Sequence, residues 1–199
     1  MTGRSFAFLL AAGAAAAGAV PAAAQMGGGN SPLAVEVRGG IALPVAAFKE
    51  DLNLESGVGA SASVALSLTP QIAVYGSYAW NQFGVAGATS LGNDVHLTDR
   101  GFSAGVRLGL PASSSAFSPW IKGGAVLGHK LRYASGSDHS DDTDGDLGFE
   151  VGGGLDFALG RQVSFTPGVT YTRFALKDAL PGDDKVQHVG VDVGLRIRI

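Results

Sequence analysis

From Val186 the last fourteen residues read V-Q-H-V-G-V-D-V-G-L-R-I-R-I. Val189, Val191, Val193, Leu195, Ile197 and Ile199 fall on one parity. His188, Gly190, Asp192, Gly194, Arg196 and Arg198 fall on the other. Successive side chains of a strand point to opposite faces, so this segment has one apolar face and one charged or glycine-filled face. Alternation over about ten residues, in a chain that also opens like an export signal, is the mark of a transmembrane β-barrel.

Seven earlier segments alternate in the same way, at about 33–43, 57–68, 71–80, 101–110, 120–132, 147–159 and 163–174. In the first, Val35, Val37, Ile41 and Leu43 oppose Glu36 and Arg38. In the fourth, Phe102, Val106 and Leu108 oppose Ser103 and Arg107. The fifth is the least regular: His129 sits on the apolar parity and Val126 on the polar one. The seventh contains Pro167, which removes a ladder donor. Thr69-Pro70 and Gly160-Arg161 read as tight turns and 111–118 as an intermediate one. The connections 44–56, 81–99, 133–146 and 175–185 are longer and rich in Asp, Asn, Gly and Ser. Short turns at one end and long loops at the other describe an outer-membrane meander. Eight strands, an even number, let it close without a free edge.

Residues 1–24 read as a cleaved signal peptide. Arg4 supplies the positive start, Phe6–Val20 the apolar stretch, and Ala22-Ala23-Ala24 before Gln25 the cleavage site. That apolar stretch is shorter than the roughly 20 residues a spanning helix needs. Residues 25–32 form a flexible leader, and 33–199 the barrel. Removing Arg4 moves the formal charge from −3 to −4, which gives no basic footprint for nucleic acid. There are no cysteines, so neither disulfides nor thiolate metal sites arise. Charged residues make up 16% of the chain, against roughly 25% in soluble domains. The 31 glycines are finely interleaved with the apolar residues, unlike the long runs of helical membrane proteins.

Parity alone does not say which face points out. The polar face is mostly Gly, Ser and Ala with scattered charges of both signs, which suits the interior of an eight-stranded barrel that side chains can fill. The apolar face is then expected to meet lipid. Trp80, Phe83, Tyr133, Tyr171, Phe174 and Phe102 are expected to form an aromatic girdle near the outer strand ends.

Three stretches carry a family resemblance. From Gly148, G-F-E-V-G-G-G-L-D-F-A-L-G-R-Q-V-S-F-T-P-G-V-T-Y-T-R-F resembles the penultimate hairpin of small opacity-type, outer-membrane-protein-A-like barrels. P-W-I-K-G-G-A-V-L-G (119–128) resembles their fifth strand, and V-G-V-D-V-G-L-R-I-R-I their last. The resemblance implies an all-β, eight-stranded antiparallel up-and-down transmembrane barrel in the cell outer membrane. It further implies a last strand read by the barrel-assembly machinery. Such strands usually end in an aromatic residue; here Ile199 takes that place.

Four constellations could carry chemistry. The inward parity brings charges together: Glu36, Arg38, Arg107, Lys122, Glu150, Asp156, Asp192, Arg196 and Arg198, with Lys130 and Arg132 beside them. If the first and last strands meet, Glu36 and Arg38 can pair with Asp192, Arg196 or Arg198. Pairing is expected, because lone charge in a narrow interior is costly. Asp142, Asp144 and Asp146 in the acidic stretch 135–146 look superficially like a calcium loop. Position six from Asp142 is Leu147 and position twelve is Gly153, so the match fails; a solvated loop is expected. His129 has lipid-facing parity, but the apolar faces offer no Ser to complete a Ser–His pair. His188 reads as an interior hydrogen-bonder, and His96 and His139 as loop residues. The Gly152–Gly154 run lies inside a strand, with no helix to make it a nucleotide motif.

No catalytic residue, cofactor or metal is therefore expected. The expected function is that of a non-enzymatic surface protein serving envelope integrity or adhesion through its outer loops. A passive conduit for small or apolar solutes is the alternative, and a lipid-modifying enzyme the third reading. Expected partners are outer-membrane lipid and lipopolysaccharide and the assembly machinery. Nucleic acid is not among them, and the protein is expected to be a monomer.

Overall fold

A computed structural model describes residues 32–51, 53–85, 96–110, 117–135, 139–176 and 185–199. The chain runs through β1 (Leu33–Pro44), α1 (Ala46–Asp51), β2 (Gly57–Ser67), β3 (Ile72–Gly84) and β4 (His96–Gly109). It continues through β5 (Phe117–Ser135), β6 (His139–Ala158), β7 (Val163–Phe165), β8 (Gly168–Leu176) and β9 (Lys185–Arg198). From β1 to β7 each strand pairs antiparallel with the next, β8 lies between β6 and β9, and β9 pairs with β1, so the sheet closes.

The described residues form nine strands but eight staves. β7 and β8 both pair with β6 on one side and β9 on the other. Pro167 splits this stave, as its missing N–H requires. The wall stays joined across the break. Thr166 and Gly194 exchange backbone hydrogen bonds of 2.8 and 3.1 Å, and Leu155 N donates to the Pro167 carbonyl at 3.1 Å.

The apolar parity points outward. Val37, Val64, Phe102, Val151, Val193 and Ile197 are among the large exposed apolar side chains, whereas Glu36, Arg38, Arg107 and Glu150 are buried inside. A soluble barrel would reverse this. Apolar area of this extent on the outside needs a hydrocarbon environment, because in water it would drive association.

The irregular fifth strand has a local cause. Gly128 sits in the left-handed region, with φ 57°. Opposite it the β4–β5 register slips between Arg100 and Phe102. The extra residue exchanges the two faces. Val126 points inward before the bulge; His129 and Leu131 point inward after it. Three expectations change as a result. His129 is buried rather than lipid-facing, and Lys130 and Arg132 are exposed rather than interior. A Cβ at Gly128 would meet nothing within 4 Å, so Gly128→Ala tests the backbone alone. It should cost about 1 kcal/mol in unfolding experiments.

The strands also run further than alternation suggested. β5 and β6 form a hairpin that takes in most of the stretch 135–146, so much of the acidic segment is strand rather than solvated loop. Its cross-strand pairing places Asp144 opposite Lys130, 3.6 Å apart. His96 opens β4 and His139 opens β6. At the loop end α1 turns Phe48 into the mouth. There Ala42, Leu54, Phe83, Leu97, Val126, Leu131, Phe174, Leu176 and Val186 form an apolar cap with it. Two expected girdle aromatics, Phe83 and Phe174, therefore lie inside, at 0% and 1% exposure. Trp80 and Tyr171 are half-buried and Phe102 is exposed. The Tyr133 side chain is outside the described set.

Candidate functional site in the barrel lumen

The lumen is filled in tiers. At the turn end, three acids meet three arginines. Arg38 Nη1 donates to Glu36 Oε1 at 2.5 Å, and Arg38 Nε donates to Asp192 Oδ1 at 2.6 Å. Arg107 Nη1 donates to the other Glu36 oxygen at 2.7 Å. Arg107 Nη2 reaches both Asp156 oxygens, at 2.6 and 2.8 Å. Arg196 Nη1 lies 3.9 Å from Glu36 Oε2. The buried Thr166 hydroxyl accepts from Arg38 Nη1 at 3.1 Å. Trp120, 2% exposed, presents its ring to both guanidinium groups, with Arg107 4.2 Å and Arg38 5.1 Å from the centroid. The formal charges of these six groups cancel. A planar guanidinium suits this role, since it bonds two carboxylates and stacks on an aromatic ring at once.

The middle tier centres on Glu150. One oxygen, Oε1, accepts from Tyr75 OH at 2.5 Å, Ser103 Oγ at 3.0 Å and Lys122 Nζ at 3.3 Å. Lys122 also lies 5.5 Å from the centre of the Tyr75 ring. Small residues on the β9–β1–β2–β3 side leave a cavity of about 70 Å³ bordered by Ser61, Ser77, Asn81, Thr170, Thr172 and His188. At roughly 10–15 Å³ of probe volume per water, it has room for about five.

Above the cavity sits fully buried Asp99. It is hydrogen-bonded to His129 Nδ1 at 2.7 Å, and Asn81 Nδ2 donates to it at 3.1 Å. Asn81 also contacts His188 Nε2 at 3.4 Å. The rings of Phe174 and Phe83 lie on His129 and His188, with centroids 4.7 and 5.7 Å apart. The apolar cap follows directly.

Glu36, Arg38, Arg107, Asp156, Asp192 and Arg196 thus gather in one cluster, and Lys122 with Glu150 in a second. Arg198 joins neither. Parity sends it inward, but it occupies the last rung and is exposed at the rim. Neighbour reasoning anticipates the Arg38–Asp192 contact across β1 and β9. It misses Arg107, which reaches Glu36 across the lumen from β4. It misses Trp120, Tyr75, Asp99 and Thr166 as well. Their inward parity was the available signal. Among the described residues, no three His, Asp or Glu side chains converge as a metal-binding set.

A closed eight-stave barrel with an apolar exterior and a paired-charge interior defines a class: the small transmembrane barrel. The outer membrane protein beta-barrel domain family matches residues 8–196, and the chain belongs to that family. It is therefore an outer-membrane β-barrel protein. Among solved structures it is similar to Neisserial surface protein A, at 15% identity and TM-score 0.60, covering 85% of this chain and 98% of that one. It is also similar to Ail, the attachment invasion locus protein of Yersinia pestis, solved with the heparin analogue sucrose octasulfate. There the identity is 17% and the TM-score 0.53, with 84% and 99% of the chains covered. A third is outer membrane protein AlkL in lipid bilayers, at 12% identity and TM-score 0.51, covering 88% and 95%. Such low identities speak to fold alone. No curated protein matches the sequence.

Proposed function

We propose that this barrel is plugged and works through the surface it displays outside the cell, in envelope integrity or adhesion, rather than through a transport path or a reaction. One observation carries the reading: the lumen is interrupted twice, by the ionic cluster around Glu36 and by the apolar cap around Phe48 and Phe83. Two seals of opposite chemistry block both hydrated ions and apolar solutes. The resemblance to a protein named for attachment and invasion supports a surface role. The enzymatic reading loses its His candidate, since His129 is buried against Asp99 instead of facing lipid. Lipopolysaccharide around the outer rim, assembly through the last strand, and a monomeric state belong to the same proposal.

The conduit reading rests on the cavity between the seals. Planar-bilayer recording separates the two. The plugged barrel should give no steady conductance steps, whereas a Glu36→Ala/Arg107→Ala/Phe48→Ala variant, with both seals cut, should give them. Robust steps from the unmodified protein would reject the plug in favour of the conduit.

A further inference from the structure

The outer wall carries a groove whose position and chemistry suit a single lipid. Gly39 and Gly153 lie on lipid-facing parities but have no side chains. Between them stand Val193, Val191 and Val169, and below them Leu155 and Pro167. Together they shape an apolar groove of about 450 Å³ at the broken stave. Val193 is six residues before Ile199. At about 3.3 Å per residue and a tilt of 35–45°, the groove lies about 15 Å above the turn-end rim. That is the depth an acyl chain reaches from a headgroup at the rim, about half the hydrocarbon core.

The rim directly beneath is cationic. Arg161 sits in the β6–β7 turn and Arg198 at the end of β9. Both are exposed, and Arg198 N donates at 2.8 Å to the carbonyl of Gln162, the residue after Arg161. They are the only charged side chains exposed at this rim among the described residues; the other exposed charges lie toward the loop end. Between rim and groove, Phe117, Phe157 and Phe165 form a ladder with centroids 6.5 and 6.4 Å apart. Aromatic rings of this kind favour the membrane interface.

We propose that this face binds one anionic phospholipid of the inner leaflet, its phosphate on Arg161 and Arg198 and one acyl chain along the Pro167 groove. The proposal rests on the wall facing lipid and is independent of whether the lumen conducts. The turn-end placement selects phospholipid over lipopolysaccharide, which lies in the opposite leaflet. Arginines beside an anionic headgroup attract it electrostatically, and the pair should favour an anionic over a zwitterionic lipid by about thirtyfold.

Native mass spectrometry of the barrel released from detergent, titrated with phosphatidylglycerol or phosphatidylethanolamine, tests this. One phosphatidylglycerol should be retained in preference to phosphatidylethanolamine. Arg161→Gln/Arg198→Gln should remove the preference, and Lys130→Gln at the far end should not. Gly39→Leu should weaken retention of both lipids. A Cβ there meets only the Gly59 carbonyl oxygen, at 3.9 Å, so the added side chain enters the groove without a backbone clash. Equal retention of the two lipids by the unmodified protein would overturn the proposal. So would a preference that survives loss of both arginines.

Discussion

Glu36→Ala is expected to destabilise the barrel by about 3–5 kcal/mol, the range for removing one partner from a buried ionic cluster. Glu36 is 6% exposed and lies against Arg38, Arg107 and Arg196. Without it, three guanidinium groups share only Asp156 and Asp192, so a neutral cluster acquires a net positive charge in a low-dielectric space. Arg38 and Arg107 keep one carboxylate each; Arg196 keeps no close partner. Glu36→Gln preserves shape and one acceptor and should cost less. Urea unfolding of both variants in phospholipid vesicles measures the difference. A loss under about 1 kcal/mol for Glu36→Ala would mean that water already screens the cluster and that the turn-end seal is not tight.

The route from sequence to this cluster was short for the wall and long for the lumen. Period-2 alternation marks a strand wherever one face is lipid and the other is not, so all eight staves could be read from it. Their ends could not, because the face difference fades where strands rise out of the membrane. That is why 139–146, with acids on successive rungs, reads as loop but folds as hairpin. Alternation also fails at a bulge. One residue in a left-handed conformation at Gly128 exchanges the faces, and neither Val126 nor His129 alone signals it. Pro167 was a visible objection, and the structure answers it by splitting the stave.

Interior partners depend on registers and on the lumen's width, which no local pattern encodes. Arg38 and Asp192 sit on adjacent strands and could be matched from closure alone. Glu36 and Arg107 are separated by β2 and β3 and meet only because eight staves make so narrow a tube. The cap was the least legible part. Sequence position alone puts Phe83 and Phe174 in a lipid girdle, because aromatics near strand ends often belong there. They are recruited inward by Phe48, whose short helix A-A-F-K-E-D is too brief to stand out from the loop pattern around it. Ring–ring contact of Phe48 with Phe83, at 5.8 Å and nearly perpendicular, is a tertiary event.

The outward assignment of the apolar face can be tested by depth. Val191 and Ile197 share β9, the same face and nearly equal exposure, 46% and 48%. They differ in position. Val191 is eight residues before Ile199, well up the wall, and Ile197 is two residues before it, at the rim. A buried charge in hydrocarbon costs most at the midplane and little at the interface. Val191→Arg should therefore destabilise the barrel in vesicles by about 2–4 kcal/mol, and Ile197→Arg by about 0–1 kcal/mol. In water neither position would be costly, since both side chains are exposed and arginine is readily solvated. Ser61→Arg acts differently: it crowds the cavity beside Ser77 from within, and its effect should not follow depth. Equilibrium unfolding of Val191→Arg and Ile197→Arg in the same lipid reads the depth term directly. Two equal and small losses would place this face in water and overturn the membrane-facing wall on which the paired, sealed interior depends.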